Sequence, residues 1–169
     1  MKLWLLIRNL SIVDSSFVHG KNLKMGYFNV IKSGVKVGNN VNIQNFVLLK
    51  SKTRIGNDCF IDSYVRSSGD NRIGNNVVLR FGSTIARKVY VDDGAFISPN
   101  AMTVFSLPDG TKSNRTYIGR GVFIGTAVVL APNITISDSC IIGANSFVNK
   151  SCHERGVYAG NPAKLIRKL

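Results

Sequence analysis

One aliphatic side chain recurs at every sixth position through most of this chain. Stepping by six from Val13 to Thr103 gives sixteen positions, of which thirteen hold Val, Ile, Leu or Met. A second run with the same step, from Ile118 to Val148, holds one of these residues at all six of its positions. Neither the 3.6-residue period of a helix nor the two-residue period of a plain strand produces this spacing. The pattern predicts a solenoid of six-residue repeats.

Each repeat is predicted to form a short strand followed by a turn, and three repeats to close one triangular coil of eighteen residues. The recurring aliphatic side chain then points into the prism, and successive coils stack at about 4.8 Å, the spacing of hydrogen-bonded strands. Because a single coil cannot bury its own apolar face, the stack supplies a continuous core. The predicted fold class is all-β, a parallel β-helix.

Two further positions of the repeat carry information. Four residues after the aliphatic comes a second inward site with small side chains, and the three cysteines, Cys59, Cys140 and Cys152, all fall there. Their spacing matches no paired metal motif, so we interpret them as small buried side chains rather than catalytic thiolates. Glycine is frequent one residue after the aliphatic, where we expect it to supply the positive φ of a tight corner.

The repeat is interrupted once, between Thr103 and Ile118, which are fifteen residues apart. On one face the residue before the aliphatic is polar or aromatic, as at Arg72 and Tyr90, and Tyr117 continues that class. This phase puts Ile118 in the slot expected at position 109 and indicates nine inserted residues. Pro-Asp-Gly within the insertion is turn chemistry, and a loop extruded from a regular solenoid often carries function. A tolerated surface insertion is the alternative.

Composition and charge limit the function. The 169 residues fit one domain, and 44% hydrophobic with 18% charged residues is typical of a globular protein. The net charge of +13 favours an anionic partner, but the cations are scattered and lack interleaved aromatics, which argues against nucleic acid. The apolar start, residues 1–8, is too short to span a membrane and has no signal cleavage site, so we expect a cytoplasmic protein. A peripheral lipid contact through Trp4 and Leu5 is the alternative.

Three segments resemble the hexapeptide-repeat acyltransferases, and the resemblance extends over residues 13–169. They are Ile-Gly-Arg-Gly-Val-Phe-Ile-Gly at 118–125, Ile-Gly-Ala-Asn-Ser at 142–146, and Gly-Val-Tyr-Ala-Gly-Asn-Pro-Ala-Lys-Leu-Ile-Arg at 156–167. The last is similar to the closing motif of the sugar- and antibiotic-modifying acetyltransferases. The resemblance implies a left-handed coil, a homotrimer with active sites in the clefts between prisms, and acetyl-CoA as donor. It also implies a β-helix domain at 1–153, with a protruding loop at 104–117, and a C-terminal tail at 154–169.

The donor site that the resemblance implies runs along the outside of the C-terminal coils. Small residues there let the donor approach backbone amides, and cations pair with its phosphates. The implied CoA-binding residues are Thr126 and Ala144 for the pantetheine arm, Asn149 and Lys150 for the adenine end, and Lys164 and Arg167 for the phosphates.

The chain departs from the family where many members carry a general-base histidine, in or just before the loop. Its two histidines lie elsewhere: His19 at an inward position near the N-terminus, where we expect a core or rim role, and His153 in the tail turn. Two histidines 134 residues apart also cannot supply the three-histidine site of the metal-dependent carbonic anhydrases with this fold, so no metal is expected.

Three interpretations of the acceptor site stay open. An amine acceptor needs mainly positioning, because a neutral amine attacks a thioester unaided. Residues 96–100 resemble the branch that acts on amino-sugar nucleotides, although Phe105 stands where that branch has Asn. Alternatively, Asp109 serves as base, with a raised pKa, and Ser106 or Ser113 orients the acceptor. In the third interpretation the protein binds ligand without catalysis.

The sequence therefore predicts an acetyl-CoA:sugar acetyltransferase. The acceptor is expected to be a nucleotide-linked sugar used in the synthesis of surface polysaccharide, such as lipopolysaccharide. Its predicted contacts are Asn100, Phe105 and Arg115. A catalytically inactive ligand-binding β-helix is the alternative.

Overall fold

The computed structural model describes residues 10–110 and 112–169, which form 24 β-strands. The segment considered above for lipid contact, with Trp4 and Leu5, lies outside the described residues, as does Thr111 of the loop. No helix that could span a membrane occurs in the described part of the chain. The strands belong to three sheets, named A, B and C in the order in which the chain enters them.

The strands are two or three residues long except for the last two. Sheet A contains β1 (Ile12–Val13), β4 (Val30–Ile31), β7 (Leu48–Leu49), β10 (Arg66–Ser67), β13 (Thr84–Ile85), β16 (Met102–Thr103), β19 (Val129–Leu130) and β22 (Phe147–Val148). Sheet B contains β2 (Val18–His19), β5 (Lys36–Val37), β8 (Arg54–Ile55), β11 (Arg72–Ile73), β14 (Val89–Val91), β17 (Thr116–Ile118) and β20 (Thr135–Ile136). Sheet C contains β3 (Lys24–Met25), β6 (Asn42–Ile43), β9 (Phe60–Ile61), β12 (Val78–Leu79), β15 (Phe96–Ile97), β18 (Phe123–Ile124), β21 (Ile141–Ile142), β23 (Gly156–Gly160) and β24 (Ala163–Lys168).

Successive strands of one sheet are eighteen residues apart in the regular coils. Val30 pairs with Leu48, and Leu48 pairs with Arg66, in parallel register. The chain visits the three sheets in turn, so each coil has three corners, which we call A–B, B–C and C–A after the sheets they join. The predicted parallel β-helix with an eighteen-residue coil is confirmed.

The recurring aliphatic residues form the core, as predicted. Ile31, Ile43 and Leu49 are at most 1% exposed, and burying each such side chain contributes about 1.5–3 kcal/mol. The cysteines at the second inward site are buried and unpaired in disulfides. Desolvation raises the pKa of Cys59 to about 11 and that of Cys152 to about 12. Neutral buried thiols are poor nucleophiles, so the interpretation of the cysteines as core residues is confirmed.

Two inward positions that hold polar residues, Ser67 and Thr103, have hydrogen-bond partners inside the prism. Ser67 Oγ lies 2.6 Å from Thr53 Oγ1 and also donates to Asn71 Oδ1. Thr103 Oγ1 accepts the backbone amide of Ala86 at 2.7 Å. An unpaired hydroxyl would destabilise the interior, so these bonds allow polar residues in the aliphatic column.

A ladder of carboxamide and carboxylate side chains follows the B–C corner. Asn39 Oδ1 accepts the amide of Lys21 at 2.7 Å, and Asn57 Oδ1 accepts the amide of Asn39 at 2.8 Å. Each side chain thus satisfies a corner amide of the preceding coil. The members of this Asn/Asp ladder are Asn39, Asn57, Asn75, Asp93 and Asp138.

The glycines that follow the aliphatic residue at the B–C corner make room for this ladder. A Cβ on Gly56 would lie 2.6 Å from the carbonyl oxygen of Gly74 and 2.7 Å from Asn75 Oδ1, closer than van der Waals contact allows. The expectation that these glycines supply a positive φ is wrong, since the positive φ falls two residues later, as at Asn40 (55°) and Asp58 (56°). Close approach between coils, rather than the turn itself, requires glycine here.

Exposed aromatic residues stack along the C–A corner of the N-terminal coils. Phe28, Phe46 and Tyr64 all have φ near +60°. The ring centroids of Phe28 and Phe46 are 5.1 Å apart, and those of Phe46 and Tyr64 are 4.9 Å apart. Phe81 continues the stack edge-on at 5.3 Å. The left-handed backbone is unfavourable for bulky residues, so the stacking contacts offset a local strain at this corner.

The irregular coil confirms the predicted insertion. Val91 of β14 pairs with Ile118 of β17, 27 residues later, whereas a regular coil takes 18. The nine additional residues leave the prism at the A–B corner, between β16 and β17. The loop therefore interrupts neither the sheets nor the core.

The C-terminal segment continues sheet C before it reverses. β23 pairs with β21 in parallel, with Ile142 opposite Tyr158. β24 then runs antiparallel along β23. Tyr158 is buried and its hydroxyl donates to the carbonyl oxygen of Glu154 at 2.8 Å, so β23 is part of the core. The exposed strand β24 ends the sheet.

Candidate active site

Sheet A separates the two corners that carry the predicted donor and acceptor residues. Asn100, Thr126 and Ala144 precede β16, β19 and β22, and so lie on the C–A corner. The inserted loop follows β16, and Asn149 and Lys150 follow β22, so both lie on the A–B corner. A single protomer therefore divides the predicted site between two edges of one sheet.

The C–A corner of the last coils presents a line of small residues that ends in a lysine. The amide of residue 145, next to Ala144, donates to the carbonyl oxygen of Thr126 at 2.9 Å, so these coils are directly stacked. A Cβ on Gly143 would lie 3.0 Å from Ala159 Cβ, and Ala159 pairs with Lys164 of β24. From Thr126 to Lys164 the line covers three strand spacings, about 14 Å. Arg167 is also exposed but lies farther along β24, away from the corner.

On this corner the amides of Tyr27 and Asn45 have side-chain acceptors on the next coil, whereas the amide of Thr126 has none among the described residues. The amide of Tyr27 donates to Asn45 Oδ1, 2.8 Å away on the next coil. Thr126 occupies the equivalent position, but the residue above it is Ala144, which has no side-chain acceptor. Among residues 10–110 and 112–169 the amide of Thr126 finds no hydrogen-bond acceptor, and the residue is exposed. A ligand carbonyl is a suitable partner for such an amide.

The inserted loop folds as a short hairpin. Ser106 and Lys112 form an antiparallel bridge, and the amide of Gly110 donates to the carbonyl oxygen of Leu107 at 3.0 Å. Asp109 lies in this exposed turn, and Ser106 lies at the base of the hairpin. The two predicted catalytic residues therefore share one exposed element on the A–B corner.

Two other loop residues point toward the prism rather than toward solvent. Phe105 is half-buried and packs against the core cluster. Ser113, considered above for orienting the acceptor, is 3% exposed, and its Oγ lies 3.4 Å from Thr116 Oγ1. The burial of Ser113 favours a role in holding the hairpin, and Phe105 remains partly exposed for contact with an acceptor.

Asn133 anchors the hairpin, and sequence reasoning did not single it out. Its Oδ1 accepts the amide of Asn114 at 2.7 Å, and its Nδ2 donates to the carbonyl oxygen of Lys112 at 3.1 Å. Its own amide donates to Thr116 Oγ1 at 3.1 Å. The sequence does contain a signal, an asparagine at the A–B corner of the coil that follows the insertion. At the B–C corner, asparagines likewise accept amides of the preceding coil.

The loop also contacts the outer face of sheet B. The Arg115 guanidinium lies over the Tyr90 ring, 4.8 Å from its centroid. One strand further, the Tyr117 hydroxyl donates to Asp92 Oδ2 at 2.8 Å. Hydrogen bonds from the next backbone amide and then from Tyr117 lower the pKa of Asp92, whereas the bond to Asp92 raises the pKa of Tyr117. Arg115, predicted to bind the acceptor, thus joins the loop to this face.

Neither histidine reaches the loop. His19 is exposed at the rim of the first described coil, with Nδ1 2.8 Å from the carbonyl oxygen of Gly20. It belongs to β2, five strands before β17 in sheet B, which corresponds to about 24 Å at the strand spacing. His153 is exposed and follows Cys152, which bridges to Ile136 beyond the loop coil. The described part of the loop therefore offers no imidazole as general base.

The fold and the repeat define a left-handed parallel β-helix of hexapeptide repeats. Residues 115–150 match the family model described as "Bacterial transferase hexapeptide (six repeats)". The solved UDP-N-acetylglucosamine O-acyltransferase of Moraxella catarrhalis covers 92% of this chain and 71% of its own, with a TM-score of 0.66 at 20% identity. This likeness confirms the left-handed fold predicted from the sequence.

The curated relatives are acetyltransferases. WbbJ of Escherichia coli K12, named as a candidate lipopolysaccharide biosynthesis O-acetyl transferase, is 33% identical over 99 residues, covering 55% of this chain and 50% of its own. The galactoside O-acetyltransferase of the same organism is 36% identical over 90 residues, covering 48% and 44%. The chain thus spans about half the length of these relatives. The resemblance to the hexapeptide-repeat acyltransferases inferred from the sequence is confirmed.

Proposed function

We propose that this protein is an acetyl-CoA-dependent acetyltransferase that modifies a sugar used in the synthesis of surface polysaccharide. The observation that carries the proposal is the change along the C–A corner, where the amide of Thr126 is left open beside a line of small residues that ends at Lys164. The names of the relatives, which include acetyltransferases for galactosides and lipopolysaccharide, support the reaction and the acceptor class.

The donor is proposed to lie along the C–A corner, with its thioester at the Thr126 end. The open amide of Thr126 donates to a carbonyl of the pantetheine arm, and Ala144 leaves space for the arm against the backbone. Lys164 then meets the donor phosphates, with Arg167 as a second cation on the same strand. Asn149 and Lys150 lie across sheet A from this line, so their proposed contact with the adenine end requires the donor to bend or a neighbouring copy to supply them.

A homotrimer with clefts between prisms reunites the divided site. The loop leaves sheet A at the A–B corner, whereas the line of residues from Thr126 to Lys164 lies at the C–A corner. We therefore infer that the hairpin with Ser106 and Asp109 covers the C–A corner of the neighbouring copy. Asn100, one coil before Thr126 on that corner, then faces the acceptor together with Arg115 of the neighbour.

The acceptor is activated without a histidine in this proposal. An amino sugar needs only to be held near the thioester, because the neutral amine is already a nucleophile and loses its proton after attack. A hydroxyl acceptor needs a general base, and Asp109, on the exposed turn of the hairpin, is the carboxylate proposed for this role. Measuring which acceptor class releases thiol from acetyl-CoA separates the two.

A second candidate function follows from the same loop. Since neither histidine is placed at the hairpin, a protein that binds CoA without transferring the acetyl group also fits the described geometry. In that case CoA binds, but thiol release stays at the background rate with every amino sugar and every neutral sugar offered.

The donor site can be tested by closing the open amide. The substitution Ala144→Asn places a carboxamide where Asn45 satisfies the equivalent amide of Tyr27. We expect CoA affinity to fall about tenfold, the equivalent of one hydrogen bond of about 1.4 kcal/mol, with unchanged or higher thermal stability. Calorimetric titration with CoA measures the affinity.

The matched control is Ala144→Gly, which leaves the amide of Thr126 open and should bind CoA within about twofold of the unsubstituted protein. Equal affinities of the Asn and Gly variants would place the donor elsewhere. No binding of CoA by the unsubstituted protein would remove the acetyltransferase proposal altogether.

A further inference from the structure

Three cations occupy successive positions on the outer face of sheet B. Lys36 pairs with Arg54, and Arg54 pairs with Arg72, all in parallel register and all exposed. Neighbouring side chains are therefore about one strand spacing, 4.8 Å, apart. The next residue in the row is Tyr90, which carries the Arg115 guanidinium of the loop. We call Lys36, Arg54 and Arg72 the cation row.

Like charges on directly opposed residues destabilise a sheet. The ion pairs in the described part of the chain are Arg80–Asp62 and Lys168–Glu154, and neither involves the cation row. The stability of the fold therefore does not account for three adjacent cations, and an anionic ligand would remove their repulsion.

The acidic groups near the row are already engaged or lie at its edges. Asp92 accepts the Tyr117 hydroxyl, and Asp93 Oδ1 accepts the amide of Asn75 in the B–C ladder. Asp70 lies at the A–B edge, beside Arg54 and Arg72. Arg72 is close enough to Asp92 to help lower the pKa of that carboxyl. These acids limit the positive charge at the margins but leave the row itself facing solvent.

The two other faces lack such a row. The outward residues of sheet C are apolar through Phe60, Val78, Phe96 and Phe123. Sheet A has a single outward arginine, Arg66, between Leu48 and Thr84. Among the outward strand positions of the described residues, three cations in succession therefore occur on sheet B, the face that the loop touches.

An open hollow lies over the two arginines of the cation row and continues to the two tyrosines beyond them. It has a volume of about 600 Å³, and its lining includes Arg54, Arg72, Tyr90, Asp92 and Tyr117, whereas Lys36 lies outside it. Guanidinium groups bind phosphate oxygens through paired N–H donors and stay charged at all physiological pH values. Two guanidiniums one strand apart, with an ammonium beyond them, match a ligand that carries two linked phosphates.

We propose that the cation row binds the diphosphate of the acceptor, so that the acceptor is a sugar linked through a diphosphate. This inference rests on the proposed function. The sugar end points along the row toward Arg115 and the hairpin, and the group on the other side of the diphosphate lies over Lys36 and the N-terminal coils. That group is either a nucleoside or a polyprenyl lipid, since both are joined to sugars through the same diphosphate.

The test compares two double variants by calorimetric titration at physiological salt. Arg54→Gln with Arg72→Gln removes the two arginines of the row, whereas Arg66→Gln with Arg155→Gln removes two exposed arginines from elsewhere. The probes are uridine diphosphate, inorganic pyrophosphate and farnesyl diphosphate. We expect the first variant to lose at least tenfold in affinity for the diphosphate that binds best, and the control to lose less than twofold.

The preferred probe identifies the linked group. Tighter binding of uridine diphosphate than of pyrophosphate assigns a nucleoside, and tighter binding of farnesyl diphosphate assigns a lipid. Removing like charges should also leave the Arg54/Arg72 variant folded, with a melting temperature no lower than that of the unsubstituted protein.

Titration of the same variants with CoA separates this inference from the proposed function. Unchanged CoA affinity together with lost diphosphate affinity supports the inference. Equal losses in both double variants would show a nonspecific charge effect and overturn it, as would an unchanged diphosphate affinity in the Arg54/Arg72 variant. A fall in CoA affinity in that variant would assign the row to the donor instead. Absence of CoA binding would defeat the proposed function but not the diphosphate site.

Discussion

The B–C and A–B corners of the same prism follow one repeat but have different chemistry. At the B–C corner a glycine follows the aliphatic residue in most coils, as at Gly38, Gly56 and Gly74, and an Asn or Asp of the next coil fills the space above it. At the A–B corner the equivalent residues include Lys32 and Lys50, and the insertion leaves the prism there.

The difference shows how the solenoid divides its tasks. At the B–C corner a Cβ on the glycine would overlap the next coil, and the Asn/Asp ladder satisfies amides that would otherwise depend on solvent. At the A–B corner the equivalent residues include exposed lysines, and the turns of neighbouring coils are joined by backbone hydrogen bonds, as between the amide of Lys52 and the carbonyl oxygen of Ser33 at 3.1 Å. The corner with the ladder is therefore constrained by the packing of glycine against the next coil, while the corner without it is free to carry the inserted loop.

The largest effect is expected from filling the B–C corner. Gly56→Ala places a methyl group 2.6 Å from the carbonyl oxygen of Gly74, so the coils must separate. We expect the free energy of unfolding to fall by about 2–3 kcal/mol, as for other overpacked sites. The midpoint of urea unfolding measures this change.

The matched change at the A–B corner is Lys50→Ala, at the position equivalent to Gly56. Lys50 is exposed, so unfolding should shift by less than about 0.5 kcal/mol. Equal effects of the two substitutions would contradict the proposed division between the corners.

An intermediate effect is expected from the two asparagines that play the same part at the two corners. Asn57→Ala removes the acceptor of the Asn39 amide and should cost about 1 kcal/mol of stability while leaving acetyl transfer unchanged. Asn133→Gly keeps the positive φ of 62° but releases the hairpin. We expect it to change stability little and to lower the transfer rate about tenfold or more.

The paired measurement is the steady-state rate of thiol release together with the unfolding midpoint. A loss of rate in Asn57→Ala equal to that in Asn133→Gly would show that stability, rather than the hairpin, governs activity. An unchanged rate in Asn133→Gly would remove the hairpin from the reaction.

The smallest effect is expected at the thiols. Burial raises the pKa of Cys59 to about 11 and that of Cys152 to about 12. A raised thiol pKa means that the reactive thiolate is lost as the pH falls below it, so at pH 8 only about one part in a thousand of Cys59 is ionised. We expect no reaction with Ellman's reagent at pH 8 in the native state, and reaction of all three cysteines after unfolding.

Cys59 follows the B–C corner and Cys152 the A–B corner, so their relative reactivity reports on opening. Rapid native-state modification of Cys152 at pH 8 would show that the A–B corner opens at the C-terminal end. Modification of Cys59 before Cys152 would show instead that the B–C corner opens more readily than the A–B corner.

Periodicity predicted the architecture because one aliphatic side chain per repeat specifies both the strand and its inward direction. The coil length, the buried cysteines and the inserted residues before Ile118 followed from counting alone. The role of the corner glycines did not, since a sequence does not reveal that an Asn of the next coil needs the space. The sequence also did not reveal that the amide of Tyr27 has an acceptor and that of Thr126 has none. That difference depends on the side chain eighteen residues further along the chain.

The candidate site was predicted in part. Counting placed Thr126 and Ala144 one coil apart, and the structure stacks them as expected. Counting did not show that sheet A separates Thr126 and Ala144 from Ser106 and Asp109. That separation follows from the arrangement of the three sheets in the structure. Asn133 was not found because its function depends on the conformation of the loop it holds.

The aromatic stack at the C–A corner has a consequence for how the chain finds its alignment. A slip of six residues would still direct an aliphatic side chain inward at nearly every position, so the repeat alone does not fix which strands pair. Phe28, Phe46 and Tyr64 meet only when coils are offset by eighteen. The stack therefore favours the winding with eighteen residues per coil, as does the Asn/Asp ladder.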